Sequence, residues 1–341
     1  MCDPFGLNRI SSLWTVSTAL YPRESETRDL KLLDGFWNFR VITVDEDQNV
    51  GFTDKWYTKP LTGDVIPMPV PSSYNDITQS RYLRDYAGWV WYDSSFFVPQ
   101  EWKDSEVVLN FGSVNYETIV YVNGKNVMNH TGGHLPFEEY VTNGLNYGES
   151  NRITVALSNV LTQETIPQGL VAYKNDTKGL YPKGFYITKT NFDFFNYAGI
   201  HRHVTLYALP KDHINDITVT TDIKDTKTGI INYSVTHSDQ TSKAECVVDV
   251  LDKSGKVVSS SKGYSGSITI ENAIFWWPYT VDPNPGYQYT LKVSLTESGK
   301  TNDIYYQKVG IRTVKATEKE FLINGKSFYF TGFGKHEDEN V

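Results

Sequence analysis

The sequence predicts an all-β protein made of two consecutive sandwiches, and three observations lead there. Apolar and β-branched residues come in short runs separated by Gly, Pro, Asn, Asp and Ser, the pattern of strands joined by turns. No stretch sustains the 3.6-residue period of an amphipathic helix. Asn-Gly stands between two such runs twice, at 123–124 and 324–325, and that dipeptide is the strongest short signal for a type I′ hairpin. A chain of 341 residues also exceeds one ordinary domain of roughly 100–200 residues. Of its residues 14% are aromatic, including 23 Tyr and 8 Trp, side chains that suit sandwich cores and sugar-stacking surfaces alike.

The elements follow in order. Residues 1–19 read as a leader or disordered segment, because the apolar run after Arg9 is interrupted by Ser and Thr and lacks the continuous centre of a signal peptide. Residues 20–209 carry the strand patterns VVL (107–109), TIVYV (118–122), KNV (125–127), RITVAL (152–157) and HVTLYAL (203–209). That span is too long for an immunoglobulin-like domain and fits a jelly-roll sandwich. A boundary falls at Pro210, after which ITVTTDI, INYSVTH, CVVDVLD, KVVSSSKG, QYTLKVSL and YYQKVGIRTV run to residue 314. About seven strands within roughly 100 residues is the signature of an immunoglobulin-like sandwich. In 315–341, FLI and SFYF flank the second Asn-Gly as a hairpin, and an isolated hairpin is marginally stable, so this piece reads as the opening of a further domain.

Composition excludes several functions. A net charge of −8 without a basic stripe argues against nucleic acid, whose phosphates need clustered Lys and Arg. No run reaches the 18 or more apolar residues of a membrane span. Cys2 and Cys246 are far apart and have no neighbouring Cys or His at metal-ligand spacing, which leaves neither a disulfide framework nor a metal site. Asn129, Asn175 and Asn232 begin Asn-X-Ser/Thr triplets and are candidate N-glycosylation sites.

The stretches LYPRE (20–24), LDGFWNFR (33–40), MPVPSSYND (68–76), YAGWVWY (86–92), GGHLPFE (132–138), YPKGFYI (181–187), TNFDFFNYAGIHRHV (190–204), WWPY (276–279), VGIRTV (309–314) and FLINGKSFYFTGFGKHED (321–338) resemble, in order, the N-terminal portion of β-glucuronidases of glycoside hydrolase family 2. The resemblance implies a jelly-roll sugar-binding-like domain at 20–209, an immunoglobulin-like sandwich at 210–314, and at 315–341 the entry to a (β/α)₈ barrel whose remainder, roughly 250 residues, is not among these residues. Both catalytic glutamates of the family lie in that barrel, so the resemblance implies no turnover by this chain alone. It carries two substrate-binding residues over to this sequence. Asp193, in TNFDFFNYAG, can accept hydrogen bonds from sugar hydroxyls through about four acceptor positions. His336, in the HED motif, can donate to a glucuronate carboxylate, with a charge that responds near neutral pH. The resemblance further implies β-D-glucuronide substrates, no cofactor and no metal, a homo-oligomer that is tetrameric in the family, and a lysosomal or secreted location. The segment 170–190 resembles a longer loop of animal, lysosomal-type enzymes. A non-catalytic carbohydrate-binding protein or an assembly module are the competing functions for two sandwiches without a barrel.

Overall fold

The computed structural model describes residues 20–174, 178–190, 194, 197–239 and 241–334. They form an almost purely β structure whose longest α-helices are the four-residue turns Val50–Thr53, Tyr74–Ile77 and Arg81–Arg84. No helix among the described residues is long and apolar enough to cross a membrane. The chain divides into two compact units, one built from residues 32–103 and 107–206, the other from residue 207 onward together with 104–106 and the segment ahead of 32.

The first unit contains a six-stranded antiparallel sheet in the order Ile66–Val70, Gly35–Val41, Trp89–Val98, Glu149–Ser158, Glu117–Val122, Lys125–Thr131. A four-stranded sheet runs in the order Asp29–Leu32, Val204–Leu209, Glu106–Phe111, Phe137–Tyr140. The non-sequential strand orders are those of a jelly-roll sandwich rather than a meander. Sheet register places Phe39, Tyr92, Val155 and Val120 in one cross-strand row, and all four are fully or almost fully buried. The opposite face of the same sheet is covered as well: Trp91, Tyr121 and Ala156 pack with Ile42, Trp56 and Leu61, and Val50, Phe52 and Tyr57 close over them. The short helix Val50–Thr53 lies so close that a Cβ on Gly51 would come within 2.4 Å of the Trp91 ring. With both faces covered, the central strands lose the polar/apolar alternation of half-buried sheets, as in Glu149–Ser158, whose residues from Ile153 to Ser158 are all buried.

The second unit is a three-stranded sheet, Ile214–Ile223, Gly229–His237, Ser265–Ile270, and a four-stranded sheet, Val257–Lys262, Glu245–Leu251, Tyr289–Glu297, Lys300–Val309. Here the alternation is clean. In Gly229–His237 and Tyr289–Glu297 successive residues point alternately into and out of the core, as expected for sheets with one solvated face. Ile231, Tyr233, Val235, Val248, Val250, Leu291 and Val293 belong to its core cluster. Cys246 sits among them with its thiol pushed up to about 11 by burial, so it packs as a small apolar residue. Seven strands in two sheets match the immunoglobulin-like expectation, although the strand Ser265–Ile270 carries too much Ser and Gly for its sequence to announce it.

Sequence order attaches residues 20–28 to the first sandwich, but their contacts lie in the second. Leu20 enters its core, and Arg28 and Asp303, 5% and 0% exposed, form a buried ion pair in which Arg28 Nε donates to Oδ1 at 2.9 Å and Nη2 to Oδ2 at 2.5 Å. Asp303 also accepts from Thr27 Oγ1 at 2.9 Å and from the backbone N–H of Ile214 at 2.8 Å. Both Asn-Gly dipeptides turn as expected, with positive φ at Asn123, Gly124, Asn324 and Gly325. The second turn joins Phe321–Ile323 to Lys326–Ser327, and Val314–Ala316 adds a third strand to that hairpin.

Burial by itself would raise the Asp303 carboxyl, but the hydrogen bonds and charge of Arg28 and the N–H of Ile214 outweigh it and hold it below the usual carboxylate range. The folded form therefore binds the proton less readily than the unfolded chain. Its contribution is fully present above about pH 4, the ordinary aspartate value, and is lost as pH falls through the lower folded value. Removing one partner leaves the other charge buried and unpaired, so Asp303→Ala should lower the stability of the second unit by about 3–5 kcal/mol. Urea unfolding at pH 7 followed by the fluorescence of Trp276 and Trp277 would measure it, and wild-type stability in the variant would contradict this account.

Candidate functional site

Asp193 and His336 both lie outside the described residues. The structure does describe the residues that follow Asp193 in the chain, from Tyr197 on. Gly199–Ile200 pairs antiparallel with Val114–Asn115. On its other side the N–H of Ser72 donates to the Ile200 carbonyl at 2.8 Å and that of Tyr74 to the Ala198 carbonyl at 3.0 Å. Residues 198–201 are thus stitched on both sides. Gly199 is required for this: its φ is +138°, and a Cβ there would stand 2.6 Å from the Ser72 carbonyl oxygen.

Just before this stretch, the backbone carbonyl of Tyr197 accepts from Asn115 Nδ2 at 3.3 Å and from the Tyr116 hydroxyl at 3.5 Å. Its own hydroxyl faces His134 Nδ1 at 3.5 Å, and its ring meets His201 edge-on with centroids 4.8 Å apart. Phe194 stands 5.7 Å away on the same ring. His134 is brought in by the tight Gly133 turn, and its N–H donates to Ser113 Oγ at 3.1 Å and Asn115 Oδ1 at 3.3 Å. Arg202 Nη1 closes the group by donating to the His134 carbonyl at 3.0 Å. The result is two phenols, two imidazoles, an amide and a guanidinium gathered around Tyr197.

Burial and neighbouring positive charge disfavour the protonated form of both imidazoles. Burial pushes His201 down to about 4, with repulsion from His134 and Arg202 adding to it and a hydrogen bond to the Tyr197 backbone opposing it. His134 is lowered by burial and by Arg202, and burial raises the Tyr197 phenol. These groups supply fixed hydrogen-bond donors and acceptors, which is the chemistry of positioning. Sequence reasoning did not single out His134 or His201, although both sit inside quoted motifs, GGHLPFE and TNFDFFNYAGIHRHV. The available signal was polar residues of mixed donor and acceptor character set among aromatics. Among the described residues no group of His, Cys, Asp and Glu could hold a metal ion. Of the Asn-X-Ser/Thr triplets, Asn175 lies outside the described residues, while Asn129 and Asn232 are exposed on strands.

Comparison with known proteins bears on this arrangement. Residues 30–210 match the family model described as glycosyl hydrolases family 2, sugar binding domain, and residues 212–312 match that of glycosyl hydrolases family 2. The chain belongs to glycosyl hydrolase family 2. Within it, the chain is similar to the β-glucuronidase of Sus scrofa, 46% identical over 332 residues that make up 94% of this chain and 50% of that protein. The Homo sapiens β-glucuronidase is 43% identical over 334 residues, again 94% of this chain and 50% of that one. Among solved structures, a β-glucuronidase of an uncultured Clostridium sp. superposes with a TM-score of 0.80 at 42% identity, covering 92% of this chain and 50% of that chain. The Ruminococcus gnavus enzyme in complex with D-glucaro-d-lactam gives 0.82 at 31% identity, covering 92% and 51%. The chain spans about half the length of the curated relatives it matches.

Because Gly199 has no room for a methyl group and a backbone that other residues rarely adopt, Gly199→Ala should destabilise the first unit by about 2 kcal/mol or more. It should also loosen residues 197–201 before the sheets melt, which amide exchange resolved along the chain would show; unchanged protection there would count against the stitched-segment description.

Proposed function

We propose that this chain is the two-sandwich portion of a retaining β-glucuronidase that hydrolyses terminal β-D-glucuronides. The observation that supports the reading is continuous similarity: β-glucuronidases match over 94% of the chain, and both family 2 models fall on its two units. A double displacement needs two carboxyl groups about 5–5.5 Å apart, one acting as nucleophile and the other as acid and then base. In this reading both glutamates belong to a (β/α)₈ barrel outside these 341 residues, and 315–341 is its entry. The sandwich contributes Asp193 as a hydrogen-bond acceptor for sugar hydroxyls, and His336 reaches the glucuronate from the barrel side. A Ruminococcus gnavus relative has been solved in complex with D-glucuronic acid, and the same sugar is the one proposed for this site. The reading includes a homotetrameric assembly and a lysosomal or secreted location.

The test uses a chromogenic β-D-glucuronide. The full-length protein should release the chromophore with the β-anomer of glucuronate as first product by NMR, and the 341-residue chain alone should show no turnover above a heat-killed control. In the full-length protein, Asp193→Ala and His336→Ala should each lower kcat/KM at least tenfold, about 1.4 kcal/mol of transition-state binding. Wild-type kcat/KM in both variants would remove these residues from the site, and specific turnover by the purified chain would overturn the division of labour.

A further inference from the structure

In the three-stranded sheet of the second unit, register sets the outward side chains in a grid. Thr218, Ser234 and Ser265 form one row and Thr220, Asn232 and Ser267 the next, and all six are exposed. Asn232 stands on the middle strand between two hydroxyls, and it opens the triplet Asn232-Tyr233-Ser234, the acceptor motif of N-glycosylation. We propose that Asn232 carries an N-linked oligosaccharide, so that this sheet face points to solvent in the full-length assembly. The proposal rests on the secreted or lysosomal part of the reading above and is independent of the glucuronidase activity.

Along an extended strand residues i and i+2 share a face, so Asn232 and Ser234 stand side by side while Tyr233 between them is buried in the core. The backbone of Asn232 lies in the ladder between Thr220 and Ser267, but no hydrogen bond among the described residues uses its side-chain amide. A sugar on Nδ2 therefore leaves the ladder intact. The two rows contain no Lys, no Arg and no ring, so the first sugar meets only small hydroxyls at cross-strand distance. Surfaces that receive a protein partner are enriched in aromatic residues, Met and Arg and are poor in Ser, and this grid has the opposite composition. Asn129 is placed differently. Its Oδ1 accepts from Asn126 Nδ2 at 2.8 Å, and its cross-strand neighbour is Ile119, which packs against the apolar cluster of the first unit.

The transfer is a substitution at an anomeric carbon. Nδ2 of Asn232 forms a bond to C1 of an oligosaccharide carried on a polyprenyl diphosphate, and the C1–O bond to the diphosphate breaks. The lipid diphosphate leaves with the electron pair, and the amide gives one proton to the transferase. An enzyme that grips the acceptor backbone reaches a middle strand only before both neighbours pair with it, so transfer precedes the closing of Gly229–His237 between Ile214–Ile223 and Ser265–Ile270. The finished sheet must then tolerate a bulky, solubilising group on its surface, and the hydroxyl grid gives it that room.

The full-length protein isolated from its own cells tests this. Treatment with a peptide N-glycosidase in water of heavy oxygen turns a glycosylated Asn into labelled Asp, and the tryptic peptide 228–243 should carry that label at residue 232, with none in an untreated control. In the full-length protein made by a eukaryotic secretory host, Asn232→Gln and Ser234→Ala should each abolish the label and lower the apparent mass on a gel, while Ser234→Thr keeps both. Asn232→Gln should leave kcat/KM for a chromogenic β-D-glucuronide and the oligomeric size unchanged. Ser267→Arg, which sets a long cation opposite Asn232, should leave the oligomeric size unchanged too. Cell fractionation separates the two ways of failing: an unlabelled peptide 228–243 in protein recovered from lysosomes or the medium overturns the proposal alone, and unlabelled protein recovered from the cytosol overturns the location reading with it. An oligomer that dissociates in Ser267→Arg shows the face to be an interface and overturns its outward orientation. A labelled protein without glucuronide hydrolysis supports the glycan and removes the β-glucuronidase reading.

Discussion

The carboxylate of Asp303, fully withdrawn from water, is the constraint around which the second unit is arranged. A bare buried charge is costly, so every acceptor position on it must be met. The structure meets them with Arg28, Thr27 and the backbone N–H groups of Ile214 and Ile304. These donors come from three places in the chain: the segment before the first sandwich, the first strand of the second, and the last long strand. The immunoglobulin-like sandwich therefore takes in residues ahead of the jelly roll, and Tyr21 and Arg23 follow with hydrogen bonds to Tyr305 and Tyr306. Replacing the pair with apolar residues of similar volume need not weaken a protein. The contribution of this pair is to specify which segment occupies the edge of the core.

The first unit solves a different problem. Its sheet is buried on both faces, which supplies a rigid base, and residues 197–201 are set against that base through backbone pairing and the polar group around Tyr197. Rigid elements hold functional side chains more closely than loops do, because their backbone is over-determined. A site assembled this way can lose its geometry without the sandwich losing its fold, which is why local exchange and global unfolding report different things about it.

Much of the fold was legible in the residues because sandwich strands are short, β-branched and bounded by turn formers. The Asn-Gly turns, the strands of the second half and the change of character near Pro210 all follow from that. Ser265–Ile270 escaped because its stability comes from pairing with Gly229–His237, not from its own composition, and strand propensity mostly measures such context. The site was half legible. Its segment stood out through an acid set among aromatics, and the ordered motifs identified the family. His134 and His201 did not stand out, since nothing in the sequence shows that residues 134, 197 and 201 meet.

The sequence by itself determined the all-β class, the two sandwiches, the hairpin turns and the family, because these depend on periodicity, turn chemistry and motif order, all of them local or linear properties. Tertiary structure decided that residues 20–28 pack with the second unit, that both faces of the first sheet are covered, and that two histidines close on Tyr197. Those outcomes depend on desolvation: which polar groups lose water, and which distant donors replace it, is settled only when remote segments come together.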